Sequence, residues 1–180
     1  ETAGGALALS VKLVGWDGRT PGVWERSLDG ADAVVNLVGE PVADARWTEA
    51  RKHLLRESRI GATRLLTQAL SRPRNQPRVL INASAVGYYG PSGATPVTEE
   101  TPTGSDFLAD LCKDWEMEAM QAEASGVRVV RLRIGMVLER DGGALPHMLP
   151  PFRFFLGGPV SPGHQWVSWI HRNDLVGLIR

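Results

Sequence analysis

The chain has 180 residues, of which 43% are hydrophobic and 22% charged, a composition typical of one soluble globular domain. Its 20 basic and 20 acidic side chains cancel, which argues against a nucleic-acid partner held by bulk electrostatics. No apolar run approaches the roughly 20 residues that a membrane-spanning helix needs, so we predict no membrane partner.

Short apolar strands alternate with helices along the chain. Continuous apolar runs predict strands over residues 33–38, 79–83, 127–132 and 166–170. Helices are predicted from Thr48 to about Leu70, from Ser105 or Asp106 to Ser125, and onward from Asn173 or Asp174. This alternation predicts an α/β fold with a mostly parallel sheet and right-handed crossovers.

Two predicted strand ends carry residues that suit a ligand site, because open α/β sheets bind ligands beyond the carboxyl ends of their strands. The first reads Asn36-Leu37-Val38-Gly39-Glu40, where Gly39 would let a ligand approach the backbone. A tight turn is the alternative interpretation. The second end has Ser84 followed by Gly87-Tyr88-Tyr89-Gly90, with both tyrosines of the chain. A serine hydroxyl and a phenol can orient a substrate oxygen and pass a proton, whereas the alternative is a turn with partly buried aromatics.

A cationic stripe runs along the first long helix. Lys52, Arg56 and Arg59 recur at helical spacing and would meet cofactor phosphates or form a solvated face. Arg59 differs from the other two because it lies beside Ser58 and near Gly61, where the helix can be approached closely.

The second long helix carries Lys113 and the only cysteine of the chain. Lys113 lies off the apolar stripe, one turn before Glu116, so an exposed pair is the alternative to a functional role. Cys112 lies on the apolar stripe, which indicates a buried structural thiol. A single cysteine excludes a disulfide framework and indicates a reducing, cytoplasmic compartment. No Cys/His cluster has zinc spacing, and we predict no metal site.

Several segments, taken together and in order, resemble the epimerase-like branch of the extended short-chain dehydrogenase/reductase superfamily. They are residues 32–41, 46–48, 58–66, 83–90, 148–153, 156–159 and 169–171. The resemblance covers nearly the whole chain from about residue 10. It implies a Rossmann-type, doubly wound, mostly parallel sheet that binds a nicotinamide cofactor, with NADP(H) favoured over NAD(H).

The resemblance also assigns candidate site residues. It implies cofactor contacts at Leu37, Val38, Gly39, Glu40, Arg59 and Val137. Ser84 matches the superfamily's active-site serine, and Lys113 lies on the helix that usually carries Tyr-x-x-x-Lys. Ala109 stands four residues before Lys113, so Tyr88, at the strand end, is the expected proton donor, with Tyr89 as the alternative.

Full-length relatives begin with a strand, a glycine-rich turn and a helix, and they end with a substrate-side region. We therefore expect residues 1–180 to be a partial dinucleotide-binding domain that lacks both parts. Two functions follow from the resemblance. One is an epimerase or reductase acting on an unknown small molecule that bears a hydroxyl or keto group. The other is a catalytically inactive NADP(H)-binding sensor or partner protein, and oligomerisation stays open for either.

Overall fold

Three parallel strands form the main sheet of the molecule. The computed structural model describes residues 11–72, 76–159 and 163–180. The strands are β1 (Ala33–Asn36), β2 (Val79–Ala85) and β3 (Arg128–Ile134), and they lie in this order across the sheet. Both pairs are parallel, so each connection crosses over through helices.

The connection from β1 to β2 is helical along most of its length. It comprises α1 (Glu49–Arg56), a π-helical turn (Glu57–Gly61) and α2 (Ala62–Leu70). The Thr48 hydroxyl caps α1 by accepting from the Arg51 N–H, as predicted. The predicted bounds are thus confirmed. The wide turn in the middle was not predicted, and such turns recur at functional sites.

The connection from β2 to β3 begins with a 3₁₀ turn (Val86–Tyr89) and contains α3 (Phe107–Met120). Asp106 caps α3 by accepting from the Ala109 N–H. A further 3₁₀ turn (Gln121–Ser125) ends at Gly126, whose φ of 81° is left-handed. The core lies between the sheet and these helices. It comprises Trp24, Leu28, Leu66, Ala69, Leu70, Leu80, Ala119, Ala122 and Val127.

A second sheet follows in the last third of the chain. Its strands are β4 (Met136–Glu139), β5 (Gly142–Gly143) and β6 (Trp169–His171), in the order β5-β4-β6. Helices α4 (Leu145–Arg153) and α5 (Arg172–Ile179) accompany it, and a short 3₁₀ turn (Val23–Ser27) precedes β1.

The strand predicted over residues 166–170 is wrong in its bounds. Only its last two residues belong to β6, which pairs with β4 instead of the main sheet. Trp166 and Val167 lie exposed outside any strand, so their apolar character reflects an uncovered surface. The mostly parallel α/β fold itself is confirmed. No helix within the described residues is long and apolar enough to cross a membrane.

Candidate functional site

The carboxyl ends of the three main strands meet at one edge of the sheet. Asn36, at the end of β1, is in register with Asn82 in β2, and Ser84 of β2 is in register with Arg133 of β3. Because the strands are parallel, the predicted site residues that follow β1 and β2 leave the sheet on the same side.

A buried hydrogen-bond network links this edge of the sheet to the helices packed against it. The Asn36 side-chain amide donates to Thr63 Oγ1 at 3.0 Å and to Asn82 Oδ1 at 2.6 Å, and Trp115 Nε1 donates to the same threonine at 2.8 Å. Asn36 Oδ1 in turn accepts from the Val38 N–H at 3.3 Å. Satisfied networks of this kind fix backbone geometry, because breaking one bond leaves a buried polar group unpaired.

The segment after β1 is open to solvent on one side and bound to the helix on the other. Leu37 is 60% exposed and Gly39 is exposed, whereas Val38 and Glu40 are half-buried. The Glu40 N–H donates to Ser58 Oγ at 3.1 Å, and the Glu40 carbonyl accepts from Arg59 Nη2 at 2.9 Å. The π-helical turn therefore holds this segment by its backbone and leaves one face free.

Arg59 lies directly against Gly39. A β-carbon at Gly39 would lie 2.9 Å from the Arg59 Cζ, which explains why this position suits glycine. Burial lowers the pKa of Arg59, and the neighbouring Arg51 cation acts in the same direction, although Cys112 and Glu40 oppose the shift. A half-buried guanidinium beside an open strand end is suited to an anionic or polar ligand.

The remaining cations of the predicted stripe have other partners. Arg56 Nη1 lies 2.6 Å from Asp114 Oδ2, and Lys52 Nζ lies 2.8 Å from Glu49 Oε1. The structure therefore separates Arg59 from its helical neighbours. It adds Arg51, which sequence reasoning missed. Arg51 donates to the Pro41 carbonyl, and within the described chain its buried Nε has no hydrogen-bond partner.

Ser84 is buried at the end of β2 and does not open onto solvent. Its hydroxyl donates to Glu116 Oε1 at 2.6 Å. Arg133 binds both oxygens of the same carboxylate, through Nε and Nη2, each at 2.9 Å. Burial alone would raise the pKa of Glu116, but the bonds from Arg133 and Ser84 outweigh it and hold that pKa below its ordinary value.

The two tyrosines lie around the same arginine. The Arg133 guanidinium stacks on the Tyr88 ring, with Cζ 3.5 Å from its centroid, and Nη1 donates to the Tyr89 phenol oxygen at 2.9 Å. Arg133 Nη1 also donates to the Glu99 carbonyl at 3.0 Å. No sequence signal other than its place at the end of β3 could have shown that Arg133 joins these groups.

Lys113, one of the predicted catalytic residues, does not reach Ser84. Lys113 is exposed, and no contact of its ammonium is found among the described residues. The α3 side chains that do reach Ser84 are Glu116 and Cys112. Helical geometry explains this, because Lys113 lies off the buried face on which Ala109 and Cys112 lie. Burial raises the pKa of the Cys112 thiol, in keeping with the predicted structural role.

Val137 lies farther along the chain, in β4, where it pairs with Ile170 of β6. Its predicted role at the cofactor, like the catalytic role of Ser84 and Tyr88, stays a prediction.

A cleft of about 500 Å³ opens between the turn after β2 and the segment before β6. Tyr89 lines it together with Val86, Gly90, His164, Trp166 and Ser168, and Tyr88 does not. Within the described ranges, no cluster of three or more His, Cys, Asp or Glu side chains could hold a metal.

The parallel sheet, its helical crossovers and the polar strand ends define a Rossmann-like protein. The NAD dependent epimerase/dehydratase family matches residues 3–180, and the chain belongs to this family. The epimerase family protein SDR39U1 homolog, chloroplastic, of Arabidopsis thaliana is 45% identical over 158 residues, which cover 87% of this chain and 45% of that protein.

Two solved structures are similar as well. Human epimerase family protein SDR39U1 (isoform2), solved with NADPH, superposes with a TM-score of 0.78 at 37% identity and covers 89% of this chain and 58% of its own. The nucleoside-diphosphate sugar epimerase from Corynebacterium glutamicum has a TM-score of 0.78 at 38% identity. The match covers 91% of this chain and 34% of that one. The chain spans about half the length of the curated relatives it matches.

Proposed function

We propose that the protein is an NADP(H)-dependent epimerase or reductase that acts on a small molecule bearing a hydroxyl or keto group. The observation that carries the proposal is one shared sheet edge. There an open strand end, held by Arg59, lies beside a network that contains a serine and two tyrosines. The NADPH complex of the human relative supports the choice of cofactor.

The residues after β1 fit a dinucleotide. Leu37 offers exposed apolar surface to an aromatic ring, and the neighbouring Gly39 is exposed as well. The Arg51 guanidinium, whose Nη1 lies 3.4 Å from Glu40 Oε2, places a second cation beside this segment. These residues would hold part of the cofactor, and the bound nicotinamide would supply or accept a hydride.

In the proposal, the network after β2 supplies the proton that accompanies hydride transfer. Hydride transfer at a carbon that bears oxygen needs a proton donor within hydrogen-bond reach of that oxygen. Ser84 already donates its hydrogen to Glu116, so in the proposal it acts by holding that carboxylate under Arg133. A tyrosine of the 86–89 turn provides the proton, and the exposed Lys113 has no part in the proposal.

A catalytically inactive NADP(H)-binding sensor or partner protein is the second candidate. Two observations favour it. The buried Ala109 replaces a tyrosine on α3, and the Ser84 hydrogen is already bound within the protein. For either candidate, the proposal includes a small-molecule ligand, no nucleic-acid or membrane partner, and a cytoplasmic location in keeping with the free, buried Cys112.

Calorimetric titration of the full-length protein with NADPH tests the proposal. We expect binding, and tighter binding of NADPH than of NADH. Arg59→Ala should weaken NADPH binding by roughly 10- to 100-fold, because loss of a hydrogen bond to a charged group costs about 1.5–3 kcal/mol. Arg56→Ala is the matched control, since Arg56 pairs with Asp114 of α3.

Equal effects of the two substitutions would contradict the assignment of Arg59. Absence of NADPH binding would contradict the proposed function itself. Oxidation of NADPH during a screen of carbonyl substrates then separates the two candidates, because the inactive sensor predicts binding without turnover.

A further inference from the structure

Two adjacent tyrosines, Tyr88 and Tyr89, could donate the proton in the proposed reaction, and their surroundings differ. The Tyr89 phenol oxygen accepts a hydrogen bond from Arg133 Nη1 at 2.9 Å. Because the oxygen serves as acceptor there, the phenol's own hydrogen is directed elsewhere and is free to be donated. Tyr88 instead presents its ring face to Arg133, at 3.5 Å from Cζ to the centroid.

Arg133 cannot swing away from this position without losing several bonds at once. Its Nε and Nη2 bind the two oxygens of Glu116, whose side chain is only 3% exposed, and its Nη1 also reaches the Glu99 carbonyl. Bidentate pairing of this kind fixes the plane of a guanidinium. The hydrogen bonds to Glu116 raise the pKa of Arg133 above its ordinary value and outweigh burial, which lowers it, so the group remains a cation beside the phenol.

The backbone of the turn is fixed as well. The Tyr88 carbonyl accepts from the Gly104 N–H at 2.9 Å and from Thr103 Oγ1 at 3.0 Å. A β-carbon at Gly104 would lie 2.8 Å from the Gly90 backbone, so the two chain segments are in close contact. The orientation of Tyr89 relative to Arg133 is therefore set by the turn and by the strand, with little freedom left to either side chain.

The two tyrosines differ in position: Tyr89 is among the residues that line the cleft beside the turn after β2, and Tyr88 is not. Tyr89 lines the cleft of about 500 Å³, opposite Trp166 and His164. Ser84 is buried and Lys113 is exposed outside this cleft, so neither supplies a proton there.

We propose that Tyr89 is the catalytic proton donor and that Arg133 is its positioning cation, an arginine–tyrosine pair that spans the ends of β2 and β3. This inference rests on the proposed function. In the reductive direction, the substrate's carbonyl carbon would accept the hydride that bound NADPH would supply, leaving NADP⁺. The C=O π bond would break, and the oxygen would take the Tyr89 proton to give an alcohol. Arg133 stabilises the resulting phenolate, which regains a proton from water in the cleft.

A crystal structure of the full-length protein with NADPH tests the placement without any need for a substrate. We expect the Tyr89 hydroxyl to face the nicotinamide across the cleft, nearer to its C4 atom than the Tyr88 hydroxyl. NADPH bound with Tyr88 nearer overturns this inference alone. Failure to bind NADPH overturns the proposed function, so the two failures are distinguishable.

Turnover then tests the chemistry. Tyr89→Phe should lower kcat roughly 100-fold and leave the NADPH Kd within about twofold of the wild-type value. Tyr88→Phe should lower kcat by no more than about tenfold. Arg133→Lys should retain more turnover than Arg133→Met, and neither should lower kcat further in the Tyr89→Phe background. Additive losses overturn the positioning role. NADPH bound as expected but no turnover in reductase and epimerase assays overturns the catalytic role and supports the sensor.

Discussion

Glu116 is the residue on which the polar network depends. Its carboxylate accepts hydrogen bonds from Ser84 and Arg133 and forms an ion pair with Arg131 at 3.5 Å, while its side chain is almost fully buried. A buried charge of this kind is tolerated only because it is paired and hydrogen-bonded. Removing one partner would leave the other charge buried and uncompensated.

The lowered pKa of Glu116 makes stability depend on pH. Its folded pKa lies below the ordinary 4.5, so its contribution is complete above that pH and is lost as pH falls through the folded pKa. We expect Glu116→Gln to flatten the loss of stability below about pH 4.5. Urea denaturation of the full-length protein at a series of acidic pH values measures this.

Glu123→Gln provides the control, because Glu123 is exposed on the turn that follows α3. That variant should keep the wild-type dependence on pH. If wild type and Glu116→Gln lost stability equally below about pH 4.5, the pKa of Glu116 would not be lowered and its bonds to Arg133 would be weak.

At the scale of elements, the 3₁₀ turn Val86–Tyr89 connects the sheet to the loop that precedes α3. Its exit at Gly90, with φ 62°, lies against Gly104, and both glycines make the approach possible. A side chain at Gly104 would meet backbone atoms, which cannot rotate away as a flexible side chain can.

We therefore expect Gly104→Ala to destabilise the protein by about 1–3 kcal/mol, the usual cost of forcing packed groups apart. Gly142→Ala is the matched control, since nothing lies within 4 Å of a β-carbon there and its φ is not positive. Urea unfolding of both variants gives the comparison. Equal stability of the two would mean that the turn and loop separate at little cost.

Sequence patterns predicted elements better than they predicted contacts. The caps at Thr48 and Asp106 and the ends of both long helices follow from local hydrogen bonding, which is encoded by neighbouring residues. The π-helical turn at Arg59 and the partners of Arg133 depend on tertiary contacts. Arg133 meets Tyr89 across 44 positions and Glu116 across 17, and no spacing rule covers such pairs.

The candidate site shows the same division. Placement of Gly39 and Ser84 at strand ends could be predicted, because parallel strands align their carboxyl ends. The direction of each side chain could not. Ser84 faces inward toward Glu116, and Lys113 faces solvent, because one residue of helix rotation separates it from the buried Cys112.

Across the whole molecule, apolar surface is distributed unevenly. The segment that ends α4 and follows it carries Phe152, Phe154, Phe155 and Leu156, and Phe155 is 97% exposed. Neighbouring exposed apolar side chains favour association, because burying them removes apolar area from water.

We expect the isolated chain of 180 residues to self-associate as its concentration rises. Replacing Phe154 and Leu156 by serine should shift the population toward monomer, whereas Val23→Ser, at a separate exposed position, should not. Size-exclusion chromatography with light scattering at several concentrations measures the mass. A monomer at every concentration, together with a cooperative thermal transition, would contradict this expectation.

The bidentate pair between Arg133 and Glu116 also affects local unfolding of the protein. The Arg133 side chain bonds to α3, to the turn after β2 and to the loop at Glu99. If β3 separates from β2, these contacts are lost in a single step. Amide hydrogens of the turn and of the loop should then exchange with solvent at a common rate, as one cooperative unit. The β4–β6 sheet, which has its own hydrogen bonds, should exchange independently of them.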